Sequence, residues 1–219
     1  MDRKYSAVLF DLDGTLLDTL ADLADCMNRV LGRHGFPAHP PDSYRYFVGD
    51  GVENLVRRTL PAEGCDEATL RDLKAGMKEE YGAHWADKTR PYPGIPELLK
   101  SLHTRRVPMA VLSNKPHSLT VAVVTHFFGL SPFAAVCGAR DGHPHKPDPG
   151  AALEIASALA LAPAEVLYAG DTNTDMQTAV RAGMFAVGVL WGFRPREELL
   201  ESGAQALAAS PADLLAYFT

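Results

Sequence analysis

Five short, unbroken apolar runs constrain this chain more than any other feature: YSAVLF (5–10), VPMAVLS (107–113), FAAVCG (133–138), EVLYAG (165–170) and MFAVGVL (184–190). A strand with one wet face alternates apolar and polar residues. A strand that is apolar at nearly every position is covered on both faces, as in a parallel sheet flanked by helices. Each run is followed by a helical pattern, which fits βαβ units. A helix is expected over 149–161, with Asp148 as N-cap and Pro149 at the first helical position. Another is expected from about Asn173 to Arg181, with Gly183 as its stop. The predicted class is α/β, with a Rossmann-like parallel sheet.

Residues 18 to about 88 break the alternation. Leu20, Leu23, Met27, Val30 and Leu31 keep helical spacing, with Asp18 placed to cap them and Gly32 and Gly35 at their end. Leu70, Leu73, Met77, Tyr81 and Trp85 form a second stripe, read as core packing. The Pro-rich FPAHPPD (36–42) connects helices, and PYPG (91–94) leads back into the alternating pattern. The expected organisation is an α/β core domain of residues 1–15 and 91–219, interrupted by an all-helical cap domain of residues 16–90. Short connectors on both sides of such an insert suit a hinged lid that limits substrate size.

At 219 residues, with 47% hydrophobic and 22% charged side chains, the chain can bury a sizeable core. A net charge of −6 without a Lys/Arg cluster speaks against nucleic acid or an anionic membrane as partner. No apolar stretch is long enough to span a bilayer, and the N-terminal run is too short for a signal peptide. Cys26, Cys65 and Cys137 are odd in number and lack metal spacing, so packing in a reducing, cytoplasmic compartment is expected. Monomer and homodimer both stay open.

In an open parallel sheet, ligands collect at the carboxyl ends of the strands. After the first run stand Asp11, Asp13, Gly14 and Thr15, and after the second Ser113, Asn114 and Lys115. Lys146 follows the third in HKPDP, and Asp171, Asn173 and Asp175 follow the fourth in GDTNTD. Residues two apart on extended chain point the same way, so Asp11 and Asp13 can face one crevice. Asp171 and Asp175, four apart at a helix start, share a face. Two unit charges ~4 Å apart repel by ~4 kcal/mol at an effective dielectric of ~20. A divalent cation relieves that repulsion, and an all-oxygen donor set favours Mg2+ over zinc. Ser113 and the backbone N–H groups at Ser113–Asn114 make an anion seat, and Lys146 a point charge. Singly, each group has an ordinary reading as turn, cap or solvated charge; His143 and His145 are read as loop histidines, and WGFR (191–194) as a packed loop.

DLDGT, LSN, KPDP and GDTNTD, in this order, resemble the four motifs of the haloacid dehalogenase (HAD) superfamily, in its phosphoglycolate phosphatase-like branch with a helical cap. The resemblance implies Asp11 as nucleophile and Asp13 as general acid/base. It implies phosphate binding by Ser113, Asn114 and Lys146. It also implies Mg2+ held by Asp11, Asp171 and the Asp13 main-chain carbonyl, with Asp175 beside the metal. VGDGVENLVRRTL (48–60) is similar to that branch's substrate loop and following helix, which makes Gly49, Asp50, Gly51, Arg57 and Arg58 candidate substrate contacts. As plain helix residues, Arg57 and Arg58 are surface charges. The implied activity is hydrolysis of a small phosphorylated metabolite through an aspartyl-phosphate, with 2-phosphoglycolate favoured. A β-phosphoglucomutase-like phosphotransferase is the alternative, and a non-catalytic regulator a more distant one.

Overall fold

The computed structural model describes residues 5–61 and 66–218, so Cys65 lies outside the described residues. The chain divides into two compact units, one of Met1–Leu17 with Pro91–Thr219 and the other of Asp18–Arg90. The first division falls two residues beyond the expected 15/16.

The first unit opens with β1 (Ala7–Phe10), all four residues buried. The chain leaves this unit through β2 (Leu17–Asp18) and returns through β3 (Arg90–Pro91), which pair as a two-stranded ribbon. Between them lie α1 (Leu20–Arg33), α2 (Tyr44–Phe47), α3 (Val52–Thr59) and α4 (Glu67–His84). Then follow α5 (Ile95–Thr104), β4 (Met109–Pro116), α6 (His117–Phe128), β5 (Phe133–Ala139) and α7 (Gly150–Ala158). The chain ends with β6 (Val166–Gly170), α8 (Asn173–Ala182), β7 (Phe185–Val189), α9 (Arg196–Glu201) and β8 (Ala206–Ala208).

Six strands pair in parallel in the order β5-β4-β1-β6-β7-β8. The five apolar runs all lie in this sheet. The sixth strand, β8, has only Ala-Leu-Ala and was not expected. On β1, Ala7 and Leu9 face a core with Ile155 of α7 and Met176 and Ala179 of α8. Val8 and Phe10 point to the other face and are equally inaccessible. Burying a side chain such as Phe10 contributes about 2–3 kcal/mol. That explains why β1 carries no polar residue until the sheet edge is reached at Asp11.

Of the two helices expected in this unit, the first differs at both ends and the second starts and stops where expected. The 149–161 helix runs over Gly150–Ala158, because Pro149 takes the cap position and the Asp148 carboxylate accepts from the Gly150 N–H at 2.8 Å. Helix α8 starts at Asn173, and Thr172 and Asp175 close a reciprocal capping box around its first turn. It stops at Gly183, whose φ of 72° lets the Met184 N–H turn back onto the Ala179 carbonyl at 2.9 Å. In the second unit, the Asp18 carboxylate accepts from the Leu20 N–H at 3.3 Å, and both predicted apolar stripes are buried save Trp85, which ends α4 half-exposed. Among the described residues no helix is long and apolar enough to cross a membrane.

Candidate active site

The sheet order reverses beside β1: the chain moves outward from β1 to β4 and β5, then returns to β6 on the other side of β1. A crevice at the carboxyl ends of the strands is the consequence of such a switch point. Asp11 follows β1 directly and extends its ladder by donating its N–H to the Ala169 carbonyl at 3.0 Å. Asp171 follows β6, and Ser113, Asn114 and Lys115 close β4.

Lys146 comes from the loop after β5 and joins these ends. Its buried Nζ donates to Asp11 Oδ1 and to Asp175 Oδ1, each at 2.7 Å, and to the Leu112 carbonyl at 3.2 Å. Its backbone is held by Asn114, whose side-chain amide donates to the Lys146 carbonyl at 3.1 Å and accepts from the Lys146 N–H at 2.9 Å. Asn114 thus holds the lysine's backbone through both ends of its amide. The Ser113 hydroxyl accepts from the Lys115 N–H at 3.2 Å.

Asp11, Asp171 and Asp175 are all buried, and each offers a carboxylate oxygen within 4.8 Å of the others. Their environments differ. Asp175 is saturated: Oδ1 accepts from Lys146 and from the Tyr168 hydroxyl, and Oδ2 from the Thr172 N–H and hydroxyl. Asp171 accepts one bond per oxygen, from the Thr15 hydroxyl and from the Phe193 N–H, both at 2.8 Å. A carboxylate has about four acceptor positions, so Asp171 keeps capacity for a further ligand.

Two glycines make room for Asp171. A Cβ on Gly14, whose φ is 91°, would lie 2.2 Å from Asp171 Oδ2, and one on Gly192 would lie 2.2 Å from Asp171 Cβ. Gly192 belongs to WGFR, where the Trp191 indole N–H also donates to the Thr15 carbonyl at 2.9 Å. The segment is packed, as expected, and it also shapes the acid site. Sequence reasoning missed that second part, since one glycine in a loop carries no signal of what it approaches.

Comparisons with known proteins bear on the family and the fold. The sequence profile of the haloacid dehalogenase-like hydrolases matches residues 8–189. A phosphoglycolate phosphatase of Pseudomonas putida is 34% identical over 85% of this chain and 70% of its own length. Another, from Chromobacterium violaceum, is 31% identical over 97% of this chain and 96% of its own. The crystal structure of a predicted phosphoglycolate phosphatase from Haemophilus somnus superposes with a TM-score of 0.90 at 26% identity, covering 97% of each chain. The chain belongs to the haloacid dehalogenase-like hydrolase family.

Within that family the electrostatics of this site follow from its burial. Desolvation, then the neighbouring Asp175, pushes the Asp11 carboxyl well above the usual carboxylate range, and Lys146 pulls against them. Burial and Asp175 push Asp171 up to about 7. Burial works to deprotonate Lys146, but the charges of Asp11 and Asp175 overcome it and hold the ammonium. With all four acids ionised, Asp11, Asp13, Asp171 and Asp175 against Lys115 and Lys146 would leave two negative charges in excess, the charge of one divalent cation. The donor set is all oxygen and suits a hard cation.

The other sequence candidates lie in the second unit. Gly49, Asp50 and Gly51 form the loop before α3, with positive φ at both glycines. Arg58 pairs with the Asp50 carboxylate and donates to the Tyr46 and Phe47 carbonyls at 3.3 and 3.2 Å. Arg57 pairs with Glu53 at 3.0 Å and Glu67 at 3.4 Å.

Proposed function

We propose that this protein is a magnesium-dependent phosphatase of small phosphorylated metabolites, with 2-phosphoglycolate as substrate and an aspartyl-phosphate as intermediate. The observation that carries the reading is the Asp11 carboxylate at the sheet's switch point, facing Lys146 at 2.7 Å and grouped with two further buried carboxylates. The names of the relatives supply the substrate.

Asp11, Asp171 and the Asp13 main-chain carbonyl would hold Mg2+, with the saturated Asp175 outside them. When bound, the cation supplies the counter-charge that keeps Asp11 and Asp171 ionised and offsets the phosphoryl oxygens. In the first step an Asp11 oxygen attacks phosphorus, the ester P–O bond breaks, and the leaving oxygen takes a proton from Asp13. In the second, water attacks the same phosphorus and gives its proton to Asp13 as the P–O bond to Asp11 breaks. Lys146 stands against the charge that develops on phosphorus-bound oxygen, and Ser113 with its neighbouring backbone N–H groups seats the phosphoryl group. Gly49, Asp50, Gly51 and Arg58 of the second unit are assigned to selecting the substrate.

Phosphate release from a panel of small phosphate esters with Mg2+ tests the reading, with glucose 1-phosphate included. Asp11→Asn keeps the shape and removes the attacking charge, so turnover should fall by at least ~10³-fold while circular dichroism is unchanged. Conversion of glucose 1-phosphate to glucose 6-phosphate would replace hydrolysis by phosphotransfer. A folded Asp11→Asn protein with a tenth of the normal rate would remove Asp11 from the chemistry.

A further inference from the structure

Lysine appears twice at this site, and the hydrolytic scheme above uses only Lys146. The second, Lys115, is buried to 8% exposure at the end of β4, and its Nζ lies 2.7 Å from Asp13 Oδ1. Burying an ammonium is costly unless a carboxylate receives it, so this pair is a built feature and not a solvated contact. Its backbone is fixed as well. The Lys115 N–H donates to Ser113 Oγ, and its carbonyl accepts from the Thr120 hydroxyl at 3.0 Å. On neighbouring β5, a Cβ on Gly138 would stand 2.6 Å from that same carbonyl oxygen, so glycine there lets the strand end close on Lys115. The Gly138 N–H is held in turn by His117 Nδ1 at 3.2 Å.

We infer that Lys115 is a positioning residue for Asp13. The two lysines divide the two aspartates of the DLD segment, Lys146 taking Asp11 and Lys115 taking Asp13. Asp13 lies at the rim, where its side chain is 13% exposed against 8% for Asp11. Without a partner it can turn to water. The ammonium holds Oδ1 on the side of β4 and leaves Oδ2 to carry the proton that the leaving oxygen of the ester takes. This rests on the hydrolytic reading above. It adds a residue whose effect passes through Asp13 and not through the phosphoryl group.

A misplaced proton donor harms a substrate in proportion to how basic its leaving oxygen is. Phenyl phosphate and 4-nitrophenyl phosphate have nearly the same shape and differ in that property. The experiment measures kcat and KM for both with wild type, Lys115→Met, Lys115→Gln, Lys115→Arg and Asp13→Asn, with thermal melting alongside. In Lys115→Met and Lys115→Gln, kcat for phenyl phosphate should fall about tenfold further than for 4-nitrophenyl phosphate, with KM little changed. Asp13→Asn should show the same bias more strongly, and Lys115→Arg should restore most of it. Equal losses on both esters, a change confined to KM, or no loss in either folded variant would overturn the inference while leaving the hydrolytic reading intact. A wild-type protein that released phosphate from no ester of the panel would overturn both.

Discussion

Asp11 and Asp22 are both buried carboxylates, one in each compact unit, and their surroundings could hardly differ more. Asp22, on α1, is 2% exposed and accepts from the Lys88 N–H, the Thr89 N–H and the Thr89 hydroxyl, all between 2.8 and 3.0 Å. Neutral donors from a single returning segment complete it. Asp11 instead meets Lys146 and two more carboxylates, and burial with Asp175 drives its carboxyl upward. A buried acid that the chain itself completes holds structure together. One crowded by further acids has room for a cation besides its lysine, and such crowding marks a candidate site.

The sharpest way to break this contrast is to neutralise each acid. Asp22→Ala orphans two buried donors on Thr89 and the half-buried Lys88 N–H, and should destabilise the helical unit by about 3 kcal/mol, since each unsatisfied buried group costs on the order of 1–3 kcal/mol. For a chain of this size that is roughly 6–12 °C in the melting temperature. Asp11→Asn, in EDTA at neutral pH, should melt no lower than wild type, because it relieves repulsion among three crowded acids. A large loss of stability in Asp11→Asn with none in Asp22→Ala would invert the assignment.

Cation addition sharpens the same contrast by a slightly smaller amount. Mg2+ at a hundred times its dissociation constant stabilises a folded site by about 2.7 kcal/mol. Wild type and Asp22→Ala should both gain that increment in melting temperature over their EDTA values. Asp171→Ala should lose most of it and need more Mg2+ for half-maximal rate. If Asp171→Ala responded to Mg2+ as wild type does, Asp171 would leave the set of cation ligands.

The difference between the two acids also explains what was legible in the sequence. The site acids stand directly after apolar strands, so local pattern alone places them at the carboxyl edge of the sheet. Asp22 is silent because its partners lie 66 and 67 residues further along, and nothing in α1 announces them. Five of six sheet strands were legible as apolar runs, whereas β8 is three small residues at an edge with too little side chain to form a pattern. Helix spacing alone makes Asp175 a partner of Asp171. The structure shows a capping acid as well, bonded to Thr172 and Lys146 at once. Lys115 stood among the strand-end residues, but a lysine there has no local signal of burial. Its role needed the Asp13 contact to be seen.

The smallest effects belong to the two arginines of α3, and they separate a substrate contact from a surface charge. Arg57 is held by Glu53 on its own helix and by Glu67, an exposed arrangement that salt screens. Arg58 instead ties the Tyr46 and Phe47 carbonyls and the Asp50 carboxylate together, so its guanidinium orders the loop that carries Gly49 and Gly51. A carboxylate-bearing substrate that exchanges with Asp50 on Arg58 would gain a charged hydrogen bond of about 1.5–3 kcal/mol. Arg58→Ala should therefore lower kcat/KM for 2-phosphoglycolate by at least about tenfold relative to 4-nitrophenyl phosphate, the equivalent of ~1.4 kcal/mol. Arg57→Ala should leave that ratio at its wild-type value, and its melting temperature with it. Should the ratio move in Arg57→Ala and stay fixed in Arg58→Ala, Arg57 would be the one that reads the substrate, and the Arg58 contacts would be loop structure alone.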